Sequence, residues 1–518
     1  MKKRRSIRSK WVSLALVGAF SITALLSGCG ADKQNTPSPT SDPNAATSES
    51  PDSLAPVELS YYYVAPPQKN QQAIEDALNV ITKEKINATV KLNALDFGNY
   101  EQKMTVMIAS GEKFDLAFTA SWFNNYFANA AKGAFLPLDD LMDQYAPLTK
   151  SGVPAKIWEA ARVNGNIYGV INYQTMAAGQ GISVQKELAD KYNFDWKSVT
   201  KQSDLEVYLE AVKNGEPNKV PLEYSTASDL FNLNMHGFDG IGDAKSPGVI
   251  SLVDSDLKVV NQYESEEYKG FITMLHDWYE KGYLRKDAAT VKDVSSDRKV
   301  AKYAAVMPAG LDYDSTSPYD AQGKLKSITS VEWYDKLITK PIVTTSLASA
   351  TLTAISKTSE NPERAMMFIE LLNSDPEVSN LLNYGIEDVN YKKVGENKIE
   401  QIKDSGYDPV VPWVFGNNMI VWQNQNEEQN MTTVWDELNK TADVSPILGF
   451  TFDVEPVKSE IAQTQAVIDQ YLAALSSGTA DPEKVLPEFV AKLKTAGSEK
   501  IIAEKQKQLD AWRQVNGK

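Results

Sequence analysis

The sequence predicts an α/β fold of two lobes that ends in a helical C-terminal segment, and three observations carry this. Residues 57–118 alternate strand-like and helix-like patterns in the order β-α-β-α-β, which implies a parallel sheet with helices on its faces. About 460 residues follow residue 56, more than one typical core organises. Residues 458–512 carry three apolar stripes at helical spacing, with charge on the opposite faces.

The first 28 residues have the three parts of a signal peptide. Lys2, Lys3, Arg4, Arg5, Arg8 and Lys10 precede an apolar stretch from Trp11 to Leu26, and Ser27-Gly28 places small residues before Cys29. Ser13, Gly18, Ser21 and Thr23 interrupt the apolar stretch, which is short for a membrane span of roughly 20 apolar residues. Cys29 is the single cysteine of 518 residues, so it has no disulfide partner within the chain. Residues 29–56 are rich in Ser, Thr, Pro, Asn and Asp and cannot bury enough apolar surface to fold. They read as a tether that spans on the order of 30 Å as a flexible coil.

The ordered part opens on a strand, Val57 to Tyr63, and a helix with Ile74, Ala77, Leu78 and Ile81 on one face. Val90 to Leu92 forms the next strand, Met104, Met107 and Ile108 mark a helix stopped by Gly111, and Phe114 to Phe118 a buried strand. In open α/β sheets ligands collect beyond the carboxyl ends of the strands, here Tyr61 to Ala65 and Thr119 to Asn124. Val184 to Tyr192, Lys201 to Asn214 and Glu266 to Gly282 read as helices of a second lobe, the last with Leu275, Trp278 and Tyr279 on one face. Ala304 to Gly310 reads as a buried strand with a breaker, Leu347 to Ile355 as a strand, and Asn361-Pro362-Glu363 as a helix start. At the C-terminus Ile461, Ile468, Leu472 and Leu475 form one stripe, Leu486, Phe489 and Leu493 another, and Ile502, Leu509 and Trp512 the last.

Net charge is −15, and loss of the six basic residues with residues 1–28 leaves −21. This argues against nucleic acid and against electrostatic docking on a membrane, both of which need basic patches. Catalytic motifs are missing: there is no His-Glu-x-x-His, no Gly-x-Ser-x-Gly, no phosphate-binding Gly-rich loop, and only two histidines, His236 and His276. Both histidines read as structural. A glycosidase needs only two carboxylates, which 68 Asp and Glu residues leave open. Asp254-Ser255-Asp256 and Asp312-Tyr313-Asp314 lack the glycine and distant glutamate of a calcium loop and read as solvated loops. No catalytic residue, cofactor or metal ligand is assigned.

Several stretches carry a resemblance. Leu26-Ser27-Gly28-Cys29 resembles the lipobox of bacterial lipoproteins, which implies cleavage before Cys29 and a diacylglycerol on its sulfur. Gly111 to Leu116, Lys132 to Asp140 and Asn164 to Val170 are similar to motifs of extracellular solute-binding proteins of ABC importers, in the large lipoprotein branch associated with oligosaccharides. Ile171 stands where that family usually has proline. Ala304 to Gly310, Asn361 to Ala365 and Tyr384 to Tyr391 match further motifs in order, with Asp388 in place of a glycine, and Gly449 to Trp512 resembles the branch's C-terminal domain of unknown function.

The resemblance implies a two-lobed, periplasmic-binding-protein-like clamp of type II with hinge crossings at about Val170 to Asn172 and Lys340 to Ile342. Residues 57–171 and 341–385 would form lobe 1, and residues 172–340 and 386–518 lobe 2. It implies a monomer, lipid-anchored at the outer face of the bacterial cytoplasmic membrane, that closes on a solute, an oligosaccharide, and delivers it to permease subunits without catalysis. Sugars suit such a cleft because their C–H faces stack on aromatic rings while their hydroxyls need polar partners. The candidates at the loop ends are Tyr62, Tyr63, Ser121, Trp122, Asn172, Tyr173, Met307, Glu387 and Trp413. The alternatives are a surface lipoprotein glycan hydrolase using two carboxylates and a peptide-binding or structural envelope protein.

Overall fold

In the computed structural model, which describes residues 54–226, 231–311, 329–425 and 431–517, eleven strands build the two principal sheets. In chain order they are β1 (Val57–Val64), β2 (Ala88–Leu95), β3 (Leu116–Thr119), β4 (Gly169–Ile171), β5 (Ala177–Gln185), β6 (Val220–Leu222), β7 (Tyr303–Leu311), β8 (Trp333–Leu337), β9 (Ile342–Val343), β10 (Leu352–Ile355) and β11 (Asp443–Val444).

The first sheet has the order β2-β1-β3-β10-β4. Its first three strands are parallel, Tyr61 facing Leu92 on one side and Leu116 on the other, while β10 runs antiparallel to both neighbours. The helices that make the parallel crossovers, α1 (Gln71–Ile86) and α2 (Phe97–Ser110), bury Ile74 and Leu78, and Met104 and Met107. Helix α2 ends at Gly111, whose φ of 69° is the left-handed cap conformation that a side chain disfavours. β10 returns to this sheet directly after β9, which pairs in the second sheet.

The second sheet has the order β11-β9-β5-β7-β6, with β8 also paired to β5. β5 takes the first two residues of the helix expected over Val184 to Tyr192, which begins at Lys186. The β-branched Ile182 and Val184 are buried between the flanking strands β7 and β8, a two-sided burial that overrides the helical spacing. The expected strand Leu347 to Ile355 is likewise shorter. Thr344 Oγ1 accepts from Leu347 N at 3.3 Å and caps a helical turn over Thr345–Ala348, leaving Leu352–Ile355 as strand.

Two apolar clusters match the two sheets. The first gathers Leu59, Tyr61, Leu116, Phe118, Ile171, Leu352 and Phe368, and the second Ile182, Val184, Leu222, Leu275, Trp278 and Met307. Residues 386–425, expected in lobe 2, include Tyr407, Val411, Val414 and Phe415, which pack in the first cluster. The reason is aromatic: the Phe415 ring lies 5.0 Å from that of Tyr63, and the Tyr61 hydroxyl donates to Val414 O at 3.2 Å. The C-terminal helices Lys458–Ser476 and Pro482–Thr495 place Ile468, Tyr471, Leu475, Phe489 and Leu493 in the second cluster. The last helix, Ser498–Asn516, buries Leu509 against Ile241, Ile250 and Phe450.

Among the described residues the chain passes between the sheets three times. β4 leads into β5 through residues 172–176, β9 into β10 through 344–351, and β11 carries the chain from the first cluster to the C-terminal helices. The third passage was not legible in the sequence. The three strands at the passages lie side by side, Val343 facing Ala177 antiparallel and Val444 parallel. Asn439 locks the array: its Oδ1 accepts from Met176 N at 2.8 Å and Ala177 N at 3.2 Å, and its Nδ2 donates to Gln174 O at 2.6 Å.

Candidate functional site

β1, β2 and β3 end at one edge of the first sheet, and the residues just beyond them supply an aromatic surface. Asp96 follows β2 and caps α2, its carboxylate accepting from Asn99 Nδ2 at 2.7 Å and Asn99 N at 3.1 Å. These bonds hold the Asp96 carboxyl below the usual carboxylate range, the side-chain amide contributing most. The cap sets Phe97 as the first helical residue, and its ring stays 47% exposed.

Beyond β3 the chain turns sharply at Ala120–Asn125. Asn124, with φ of 44°, donates from Nδ2 to Phe118 O at 2.9 Å, and Thr119 Oγ1 donates to Asn124 O at 2.6 Å. The turn pushes Trp122 outward, 56% exposed. Its indole N–H donates to Ala350 O at 2.8 Å, Ser121 N donates to Ser349 O at 2.9 Å, and Ser121 Oγ donates to Ser346 O at 3.2 Å. The third ring, Trp413, sits half-buried on a single helical turn, Pro412–Val414, with its edge against Phe118 at 5.4 Å.

Phe97, Trp122 and Trp413 form a near-equilateral triangle, with centroids 6.3, 6.1 and 6.2 Å apart. Phe123 and Tyr100 support it from beneath, stacked at 5.7 Å. Exposing such ring area to water is costly, so a trio of this kind is suited to an apolar or amphipathic ligand face.

The structure thus brings Ser121, Trp122 and Trp413 together and adds Phe97. Of the remaining sequence candidates, Asn172 lies behind the trio, its Nδ2 donating to Trp413 O at 3.2 Å, and the others lie elsewhere. Tyr62 is half-buried with its ring edge-on to Phe114 at 6.2 Å. Tyr63 is enclosed by Tyr61 and Phe415, its hydroxyl accepting from Gln71 Nε2 at 2.9 Å. Asn172, Tyr173 and Met307, expected at the cleft surface, are buried. The Tyr173 hydroxyl donates to Asp436 Oδ1 at 3.0 Å, and Met307 packs in the second cluster. Glu387 is exposed and paired with Lys393 at 3.2 Å. Phe97 had a sequence signal, an Asp-Phe-Gly cap directly after a parallel strand, which marks a large ring at a strand's carboxyl end.

In the second lobe β6 and β7 are parallel and lead into residues 227–230 and 312–328. Those segments, with Asp312-Tyr313-Asp314, lie outside the described residues, as do the leader, Cys29 and the tether to residue 53. Asp254 and Asp256 are exposed, Asp254 Oδ1 accepting from Asp256 N at 2.9 Å in a local turn. Among the described residues no group of three His, Cys, Asp or Glu is placed to hold a metal ion.

Neither histidine has the setting of a catalyst. His236 stacks on Phe231 at 4.2 Å, and burial pushes its pKa down to about 4, so the ring is neutral at neutral pH. His276 Nδ1 donates to Gly478 O at 2.7 Å. Asp239 is a buried carboxyl raised to about 6 by desolvation; it accepts from Ser445 Oγ at 2.5 Å, one residue past β11, and from Gly240 N at 2.8 Å.

Comparison with known proteins matches residues 65–378 to the family described as bacterial extracellular solute-binding protein, and residues 446–514 to a domain of unknown function, DUF3502. A carbohydrate ABC transporter substrate-binding protein of Streptococcus pneumoniae is 33% identical over 88% of this chain and 90% of its own length. The crystal structure of the N-glycan transport solute-binding protein NgtS of S. pneumoniae superposes with a TM-score of 0.77 at 31% identity, covering 88% of this chain and 99% of that one. In complex with Man1GlcNAc the same protein superposes at 0.67, with the same coverage and 30% identity. The fructooligosaccharide-binding protein FusA of S. pneumoniae, solved with kestose, shares the fold at 16% identity and a TM-score of 0.58, over 89% of this chain and all of its own.

Proposed function

Because the chain belongs to the bacterial extracellular solute-binding protein family, we propose that it captures an oligosaccharide between its lobes and hands it to the permease of an ABC importer. The observation that carries the sugar is the trio of Phe97, Trp122 and Trp413 at the carboxyl ends of β2 and β3. Pyranose rings offer flat C–H faces that stack on such rings, and their hydroxyls hydrogen-bond around the rim. Glycans of mannose and N-acetylglucosamine are the first candidates, since NgtS was solved with Man1GlcNAc and Man5GlcNAc.

Capture works by hinge closure about the three paired passages. A ligand that touches both lobes only when they are shut draws an existing open–shut equilibrium toward the shut state. The protein performs no chemistry on its solute and acts as a monomer.

The address rests on Cys29. Lipid on its sulfur, followed by the tether to residue 56, would hold the clamp at the outer face of the cytoplasmic membrane within reach of the permease. No helix among the described residues is long and apolar enough to cross a membrane. Cys29→Ala is expected to abolish incorporation of radiolabelled fatty acid into the protein; undiminished labelling would refute the anchor.

The function is tested by a thermal-shift screen of oligosaccharides. A ligand that binds only the folded state stabilises it by about 2.7 kcal/mol at 100 times its dissociation constant, a clear shift in melting temperature. The bound sugar should be recovered intact. Release of reducing ends by pure protein would instead support a glycan hydrolase, and no shift with any mannose- or N-acetylglucosamine-containing glycan would count against the proposed class.

A further inference from the structure

Asn172 is fully buried, and every hydrogen-bonding atom of its amide is committed within the protein. Its Nδ2 donates to Trp413 O at 3.2 Å and to Val414 O at 2.9 Å, the two carbonyls of the turn that carries the Trp413 ring. Its Oδ1 accepts from Thr353 Oγ1 at 3.0 Å, and that oxygen is on β10, just past the second passage. Its backbone N–H donates to Thr351 O at 3.0 Å, and Gln174 Nε2 reaches Thr351 Oγ1 at 2.7 Å. Asn172 itself is the first residue of the first passage. One side chain therefore joins three segments far apart in sequence: the start of passage one, the end of passage two and the base of an exposed aromatic ring.

From this geometry we infer that Asn172 is a positioning residue for solute binding, which orients Trp413 and fastens the stacking surface to the first two interlobe passages. The inference rests on the reading of the trio as the sugar-binding surface. An amide serves here where no other side chain does, because only Asn offers two donors and an acceptor on so short a stem. Aspartate would set a carboxylate against two carbonyls, leucine would leave them unpaired, and glutamine is one methylene too long for a site with no free volume. Trp122 has a matching arrangement: its indole N–H and the Ser121 backbone are bonded to Ala350 and Ser349 in passage two. Both indoles of the trio, exposed Trp122 and half-buried Trp413, are thus anchored on the interlobe passages, so that a solute stacked on them would act directly on the proposed hinge.

The test is a double-mutant cycle with a spectroscopic readout. Asn172→Ala and Thr353→Val are each compared with Trp413→Ala for glycan affinity by calorimetry, alone and combined. Protein labelled with 5-fluorotryptophan reports ring environments, the Trp413 and Trp122 lines being assigned with Trp413→Phe and Trp122→Phe. Each positioning variant is expected to weaken binding about tenfold and to shift the Trp413 line, leaving the second-lobe line of Trp278 in place. On the Trp413→Ala background each should cost less than twofold, because its effect passes through the ring that is already gone. Additive losses, or an unmoved Trp413 line in both variants, would overturn the inference. Where Asn172→Ala does not fold, Thr353→Val, a substitution of equal shape, decides alone. If the wild type binds no glycan, the reading of the trio falls, while the fluorine line still decides whether Asn172 orients Trp413.

Discussion

Replacing Trp122 and Trp413 together by alanine is expected to lower oligosaccharide affinity by at least about 100-fold in calorimetry, a loss of about 3 kcal/mol. Buried aromatic anchors commonly cost 2 kcal/mol or more on truncation. The effect on folding should be much smaller for Trp122, which is 56% exposed and whose one polar atom is bonded to a backbone carbonyl that water serves equally well. Trp122→Phe should retain most of the affinity, because it keeps a stacking face and loses only the indole N–H. Two findings would sink the stacking account: unchanged affinity in the double variant, or a Trp122→Phe protein as weak as Trp122→Ala.

A second large effect concerns stability and pH. Lys505, on the last helix, is wholly buried, its ammonium donating to Gly248 O at 3.1 Å and to Ser246 O and Oγ at 3.4 Å. Asp243, on the same loop, is the acidic group acting on it, and the Phe452 ring lies 5.6 Å from its nitrogen. Desolvation outweighs these partners and pushes the Lys505 pKa down to about 7 from 10.5. Between those values the unfolded chain binds more protons than the folded one, so stability rises with pH. The penalty is fully present below pH 7 and relieved toward pH 10.5. From pH 7 to pH 9, below the range where buried tyrosines titrate, the wild type should gain about 2 kcal/mol in urea unfolding relative to Lys505→Met. Parallel stability curves for the two proteins would show that the ammonium is better solvated than its burial implies.

Much of this molecule is legible in its residues, and the exceptions share a cause. The β-α-β-α-β opening was readable because each element buries one face against a single neighbour, as Ile74 and Leu78 do in α1. β5 was not, because its partners β7 and β8 lie over a hundred residues away, and local spacing around Val184 mimics a helix. The third passage was invisible for the same reason, since Asp443–Val444 is two exposed residues whose strand identity comes from pairing with the distant Ile342 and Val343. At the site, Trp122 and Trp413 could be chosen as large rings beside strand ends or breakers. Asn172, Tyr173 and Met307 could not be told from them, because sequence gives proximity to a passage and only packing gives the direction of a side chain. Asn172 stands beside the cleft and yet belongs to its scaffold.

The three passages also set the order in which the chain can mature. The first apolar cluster needs Val411, Val414, Phe415 and Leu448, and the second needs Ile468 through Leu493, so neither is complete until nearly the whole chain is present. A polypeptide emerging N-terminus first through a translocation pore would meet its β1 partners at once, but would wait some 350 residues for the segment that closes over Tyr61. Such long-range closure slows folding and leaves apolar surface uncovered meanwhile. For a chain whose first 28 residues read as a signal peptide, that delay would be an advantage on the inner side of the membrane, where compaction would block passage through a pore, and a liability outside, where apolar surface would stay uncovered.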